Sequence, residues 1–506
     1  MITPARLLFL ILLVGAVTQV APEVLAAEAG KPRFRLHLFS EPSSLSPFVQ
    51  KNSGSLYLLA QLSCPLLKST DSGSRPWGAH CEVKKQTVTC EIEKSLRFQT
   101  GENVTAEHYR KSFVAFLNPQ KPSPRAELLT QIHNAWAVLQ GEKPVSELGI
   151  KATGNRLVFS VDGNPGEFLL TLANPLFTAV KDAEIPTREE WRKFSSCGPY
   201  QIENWAEGKK IQLVPNPHFP LGHPGRPDLE YLFIPEDGIA LQAYQKGELD
   251  FLRRLPTLYL GQWENSPELR KVDQIRFDFL GLSAEFRDPH LAEALGQAID
   301  YEAWQKLYHA KPRPGCFGIP DTWTKGRICW DFNPLAAKAA LAKMQKDPRL
   351  AKLRLFYSKQ GGDDHDRTME FLQDQWRKNL GLEIKVEGQE NKIFLETLNH
   401  QGAPFFRKGL SPERASCLAV LENFIKGAPE NYLQWDDSRF KELIEKMRAP
   451  SKDPSKLCRE GVLRLKDQGL LIPTGRIYFS LLLKPGWQGL ELNSLNQLDL
   501  SGLHRN

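Results

Sequence analysis

The chain has 506 residues, 41% of them hydrophobic and 10% aromatic, the composition of a folded globular protein and not of a disordered one. Its 65 Lys and Arg against 59 Asp and Glu leave a net charge of +6, spread thinly along the chain, which argues against a nucleic-acid partner. A chain of this length exceeds one hydrophobic core and is expected to divide into two or three lobes.

Residues 1–26 read as a cleavable secretory signal. Arg6 precedes an apolar run from Leu7 to Val14, and Val24 and Ala26 mark a cleavage site after Ala26. Thr18, Gln19 and Pro22 interrupt that run, so no spanning helix is expected, and no Cys stands nearby to carry a lipid anchor. The mature chain is therefore expected to be soluble and periplasmic.

In "FRLHLFSEP", Phe34, Leu36 and Leu38 alternate with Arg33, Arg35, His37 and Phe39, which predicts a strand with one buried face. In "CEVKKQTVTC" a two-residue turn at Lys85-Gln86 pairs 84 with 87, 83 with 88 and Cys81 with Cys90. The two cysteines then face each other where cross-strand side chains come closest, which predicts a disulfide, although Lys-Gln is a poor turn pair. Thr105 caps a helix carrying Tyr109, Phe113, Phe116 and Leu117 on one face. Asp288 and Pro289 open another with Leu291, Ala294, Leu295 and Ala298 inward.

Cys316 and Cys329 bracket a Gly-, Pro- and Trp-containing loop and form the second expected disulfide, while Cys64, Cys197, Cys417 and Cys458 allow three connectivities. "KLRLFYS", a helix around "RTMEFLQDQWRKNLG" and "LEIKVEG" predict a strand–helix–strand unit. In "FFRKGLSPERAS", residues 405–416, Ser411 is read as an N-cap, Pro412 as the first helical residue and Glu413 as an acid favoured at the positive end of the helix dipole. Apolar residues then recur at helical spacing from Cys417 to Ile425. Two readings of this stretch stay open, plain capping or a ligand site. Phe440, Leu443, Ile444 and Met447 mark a further amphipathic helix.

The signatures of an exported enzyme are missing. "GLSAE" and "GLSPE" lack the final Gly of a nucleophile elbow, and there is no H-E-x-x-H, C-x-x-C or phosphate-binding Gly-rich loop. His218 and His223 lie in a Pro- and Gly-rich stretch without a third ligand, and "GGDDHDR", around His365, reads as a solvated polar loop lacking the acidic spacing of a calcium site. No enzymatic activity, cofactor or metal is expected.

Seven passages in order carry a resemblance: "SEPSSLSP", "LRFQTGENVTAEHYRKSF", "SSCGPYQIENWAEGKKIQLVPNPHF", "AYQKGELDF", "LAEALGQAIDYEAW", "NLGLEIKVEGQENKIFLETLNHQG" and "LIPTGRIYFSLLLKPGWQGL". Together they resemble the family-5 extracellular solute-binding proteins, and most closely the periplasmic oligopeptide binders of ATP-binding-cassette uptake systems, from about residue 34 to about residue 490.

The resemblance implies an α/β, type II-like periplasmic binding-protein clamp of three lobes with discontinuous chain crossings. Lobe I would take 27–56, 173–275 and 476–506, lobe II 57–172 and lobe III 276–475. It further implies a monomer that captures a short peptide between lobes and delivers it to an inner-membrane permease and its ATPase subunits. A binder or sensor not coupled to transport is the alternative, and a secreted hydrolase a weaker one.

Carried over residue by residue, Arg407 and Gly409 match cleft-lining positions, and Glu413 stands where an Asp pairs with the peptide's α-ammonium. Leu410 and Asn391 replace cleft tryptophans, Arg414 replaces an aromatic, Asn399 replaces a carboxylate-binding Arg, His400 is kept, and His365 falls near a His that meets the peptide's C-terminus. Ser40, Glu41 and Ser411 complete the implied ligand set. Arg253 and Arg254 stand where that branch has Asn; if they face the cleft, they favour acidic or carboxylate-bearing ligands.

Overall fold

A computed structural model describes residues 32–50, 53–71, 73–182, 190–307, 315–361, 363–475 and 478–506. The secretory-signal segment lies outside these residues. No helix among the described residues is long and apolar enough to cross a membrane.

The first strand, Arg33–Leu38, pairs in parallel with Asp228–Phe233 at the edge of a four-stranded sheet completed by Lys210–Pro215 and Tyr200–Ala206. Phe34, Leu36 and Leu38 are buried as their alternation requires. His37 is buried too, because the far end of the strand is covered on both faces. Beside it, Phe251–Leu252, Tyr478–Leu483 and Leu269–Asp273 form a second small sheet. Phe34, Tyr231, Leu481 and Leu503 share one core, so segments from the start, middle and end of the chain are joined there.

A separate core gathers Phe113, Phe116, Phe159, Phe168 and Phe177 beneath the antiparallel sheet of Ala79–Lys84, Thr87–Ile92, Arg156–Ser160 and Ile150–Thr153. The hairpin has the expected register, with Cys81 opposite Cys90 and Lys84 opposite Thr87. Lys85 takes a φ of 54°, as a tight two-residue turn demands. Cys81 and Cys90 are bonded, as are Cys316 and Cys329. The four undecided cysteines pair as Cys64–Cys197 and Cys417–Cys458.

The largest sheet runs in the order Lys385–Gln389, Arg354–Ser358, Phe405–Leu410, Phe277–Leu282, Leu471–Gly475. Alternation along its strands serves two cores, with Phe277, Phe279 and Phe406 on one face and Leu280, Leu282, Leu355 and Phe405 on the other. The expected strand–helix–strand unit is present, its strands parallel and its helix Asp363–Leu380. That helix starts earlier than its apolar periodicity suggests, so His365 sits in its first turn and "GGDDHDR" is not a free polar loop.

The stretch "FFRKGL" is also reassigned. Its backbone pairs along the whole of Phe277–Leu282, so it is a strand, and the following helix opens at Cys417 under Ser416, whose Oγ accepts from Ala419 N at 3.1 Å. Ser411 caps no helix among the described residues. Asp288 caps its helix as expected, accepting from the His290 and Leu291 amides.

Candidate ligand-binding site

The six residues Phe277–Leu282 are all buried, and one of them, Asp278, is a carboxylate in an otherwise apolar strand. Two guanidiniums satisfy it: Arg276 Nε donates to Oδ2 and Arg407 Nη2 to Oδ1, each at 2.7 Å. Burial pushes this carboxyl up, and Arg276 and Arg407 outweigh that and hold it below the ordinary carboxylate range. Gly409 lies directly opposite, and any Cβ there would fall onto Asp278 Oδ1 and Arg276 Nη2, so only glycine fits. His365 Nδ1 donates to the Ser358 carbonyl at 2.9 Å, and Ser358 Oγ donates to Asn391 Oδ1 at 3.0 Å.

The strand's backbone is open on one side. Pairing of Arg354–Ser358 with Phe405–Leu410 reaches only Phe405 and Phe406, so from Lys408 onward this edge takes no strand partner among the described residues. An extended chain could add to it by main-chain hydrogen bonds.

A second polar face lies at the end of the first strand. Arg253 sits between the rings of Phe39 and Tyr57, 4.4 Å from each centroid, and Arg254 Nε donates to Asp237 Oδ2 at 2.6 Å. Glu41 is fixed by Trp205 Nε1 at 2.7 Å and Gly208 N at 3.3 Å, beside exposed Ser40. The two faces touch where Thr257 Oγ1 donates to Asp364 Oδ2 at 2.6 Å.

Glu413, expected to meet an α-ammonium, is engaged by the chain itself. Arg125 Nη1 lies 2.6 Å from its Oε1, and Asn174 Nδ2 donates to its Oε2 at 3.3 Å. Its neighbour Arg414 is buried between Glu167 and Glu422, each at 2.9 Å, and Ser416 Oγ also donates to Glu167. These bonds tie the phenylalanine-rich core to the five-stranded sheet. Leu410 is packed in a core, while Ser411, Asn399 and His400 are exposed. Sequence reasoning missed Arg276, Asp278 and Arg125; only Asp278 left a signal, a lone acid in "RFDFLGL".

Two imidazoles make the fold acid-sensitive. Burial, reinforced by Arg253, lowers His37 to about 3, and burial, reinforced by Arg407, lowers His365 to about 3. Between that value and the ordinary 6.5 the unfolded chain binds more protons, so stability is lost as pH falls through this window. The expected slope is up to about 1.4 kcal/mol per pH unit for each histidine. Urea midpoints at pH 7 and pH 5 measure it; identical midpoints would mean that both rings are hydrated in the folded chain.

The family model for bacterial extracellular solute-binding proteins, family 5 Middle, matches residues 81–431. The oligopeptide-binding protein OppA of Bacillus subtilis is 22% identical over 89% of this chain and 88% of its own length. The probable deoxycholate-binding periplasmic protein YgiS of Escherichia coli is 24% identical over 95% and 94%. The crystal structure of Haemophilus influenzae OppA in complex with RPPGFSPFR superposes with a TM-score of 0.78 at 18% identity, covering 94% of this chain and 99% of that one. The several sheets crossed by early, middle and late segments are thus the fold of a periplasmic binding protein, and with well over half of its length matched the chain belongs to the family-5 bacterial extracellular solute-binding proteins.

Proposed function

We propose that the protein captures short peptides between the Arg253 face and the five-stranded sheet and delivers them to a membrane permease driven by ATP hydrolysis. The observation that carries this reading is the open main-chain edge beyond Phe406, flanked by charged side chains, in a chain that belongs to a family with peptide-binding members. Main-chain bonds on such an edge hold a peptide whatever its side chains. The two cores within 276–475 support lobe III; the division of the rest into lobe I (27–56, 173–275, 476–506) and lobe II (57–172) follows the resemblance, with Phe177 packing in the core of lobe II and Tyr57 in that of lobe I. The secretory pattern supports export to the periplasm with cleavage after Ala26, and delivery to a permease requires only a monomer and no catalysis.

Within this reading an α-ammonium reaches Glu413 by sharing it with Arg125 or displacing Arg125. Mass spectrometry of ligand carried through native purification is the direct test, with short peptides expected; a sugar or a metal chelate would remove the peptide reading. N-acetylated peptides and Glu413→Gln divide the ammonium question. A shared carboxylate predicts that each weakens binding by about 2 kcal/mol or more, whereas a carboxylate serving only Arg125 leaves acetylated peptides bound as tightly as free ones.

A further inference from the structure

Arg253 is the anomaly of the second face. Among the described residues it makes no hydrogen bond and no ion pair, and its Nη1 is shut off from solvent without an acceptor. Its neighbours supply only π-faces. Phe39 and Tyr57 sandwich the guanidinium at 4.4 Å, and Tyr57 is itself buried and fixed through its hydroxyl to Asn496 Oδ1. The acid near enough to be felt, Asp237, is already bonded to Arg254, whose guanidinium carbon lies 5.2 Å from the centroid of the Phe39 ring. Such a sandwich fixes the plane of an Arg without neutralising it, and a partly desolvated cation with no counter-charge is costly. Four residues on, Thr257 bonds across to Asp364, so this segment borders the space between the two faces.

We propose that Arg253 is the counter-ion for a carboxylate of the captured ligand, which makes the protein selective for ligands with an acidic group at the Phe39–Tyr57 end of the cleft. The assignment rests on the reading of the space between the two faces as the ligand site. A planar guanidinium can offer a carboxylate two parallel N–H donors, a match that a peptide C-terminus, an acidic side chain or a non-peptide acid could each supply.

The test uses the mature protein and its Arg253→Met variant, with titration calorimetry on trialanine, trialanine amide and Ala-Glu-Ala, and mass spectrometry of ligand from native purification. The expected result is at least tenfold tighter binding of Ala-Glu-Ala than of trialanine if a side chain supplies the carboxylate, or at least tenfold weaker binding of the amide if the C-terminus does. Either preference should fall to within twofold in Arg253→Met. A preference retained by the variant, or none in the wild type, overturns the proposal.

If no peptide binds, the peptide reading fails, and the extracted ligand decides the assignment. An acid recovered at least tenfold less from Arg253→Met supports it. A neutral ligand, an acid recovered equally from both proteins, or no ligand at all overturns it. Melting of the purified proteins guards against misfolding: a merely structural Arg253 predicts a lower melting temperature in the variant, whereas a counter-ion awaiting its partner predicts an equal or higher one.

Discussion

Replacing Cys64 and Cys197 together by alanine is expected to destabilise the protein by about 5 kcal/mol, the largest effect of any disulfide here, on the chain-entropy treatment of cross-links. The two residues are 133 positions apart, so their bond closes a far longer loop than Cys81–Cys90, at 9, or Cys417–Cys458, at 41. The same treatment assigns about 2.7 kcal/mol to the hairpin link and about 4 kcal/mol to Cys417–Cys458. Both sulfurs are buried, and the surroundings are already built to receive them. Cys64 N donates to Thr178 Oγ1 at 2.9 Å, Tyr109 Oη donates to the Cys64 carbonyl at 2.5 Å, and the Cα atoms stand 5.5 Å apart. Denaturant unfolding of the oxidised wild type against the double variant measures the difference. A loss under about 1 kcal/mol would show that the unfolded chain is already constrained in this region.

Asp278→Asn should cost about 3 to 5 kcal/mol, because it leaves Arg276 and Arg407 facing each other across a buried site without their shared counter-charge. The amide keeps the shape, so a cavity cannot explain the loss. The sign with pH follows from the depressed carboxyl: its contribution is fully present above the unfolded value of 3.8 and disappears as pH falls through the lower folded value. Thermal unfolding at pH 7 is the measurement, and Asp278→Asn combined with Arg407→Met should recover part of the loss by removing one of the two guanidiniums that share this carboxylate. If the single variant melts with the wild type, the guanidiniums are hydrated and the Asp278 pairing contributes little.

What could be read in advance was what short-range pattern determines. The Cys81–Cys90 register follows from a period of two over ten residues, and the Asp288 cap from a three-residue signal. "FFRKGLSPERAS" misled because Ser-Pro-Glu is as good a local helix start as Ser416 provides, and only pairing with Phe277–Leu282, distant in sequence, makes Phe405–Leu410 a strand. His365 read as loop because the acids around it mask the first turn of a helix whose apolar face begins later. The partners of Glu413 and Arg414 come from Arg125, Asn174 and Glu167, and no local pattern announces an ion pair between such remote segments. Arg253 was visible as an unusual cation, but its isolation between two rings required the third dimension.

The Thr257–Asp364 hydrogen bond joins two groups of the protein, so its free energy is the same whatever lies between the faces. On the proposed reading, in which the two faces close over a ligand, such a bond to a charged acceptor is worth about 1.5 to 3 kcal/mol and multiplies the ratio of apposed to separated arrangements by about 10 to 150. While the separated form predominates, that factor enters the affinity of every ligand equally. It sets how tightly the protein holds its cargo on average and cancels from any ratio of two affinities. Discrimination among ligands is therefore left wholly to groups that touch them, and the overall strength of capture and its selectivity can change by independent substitutions.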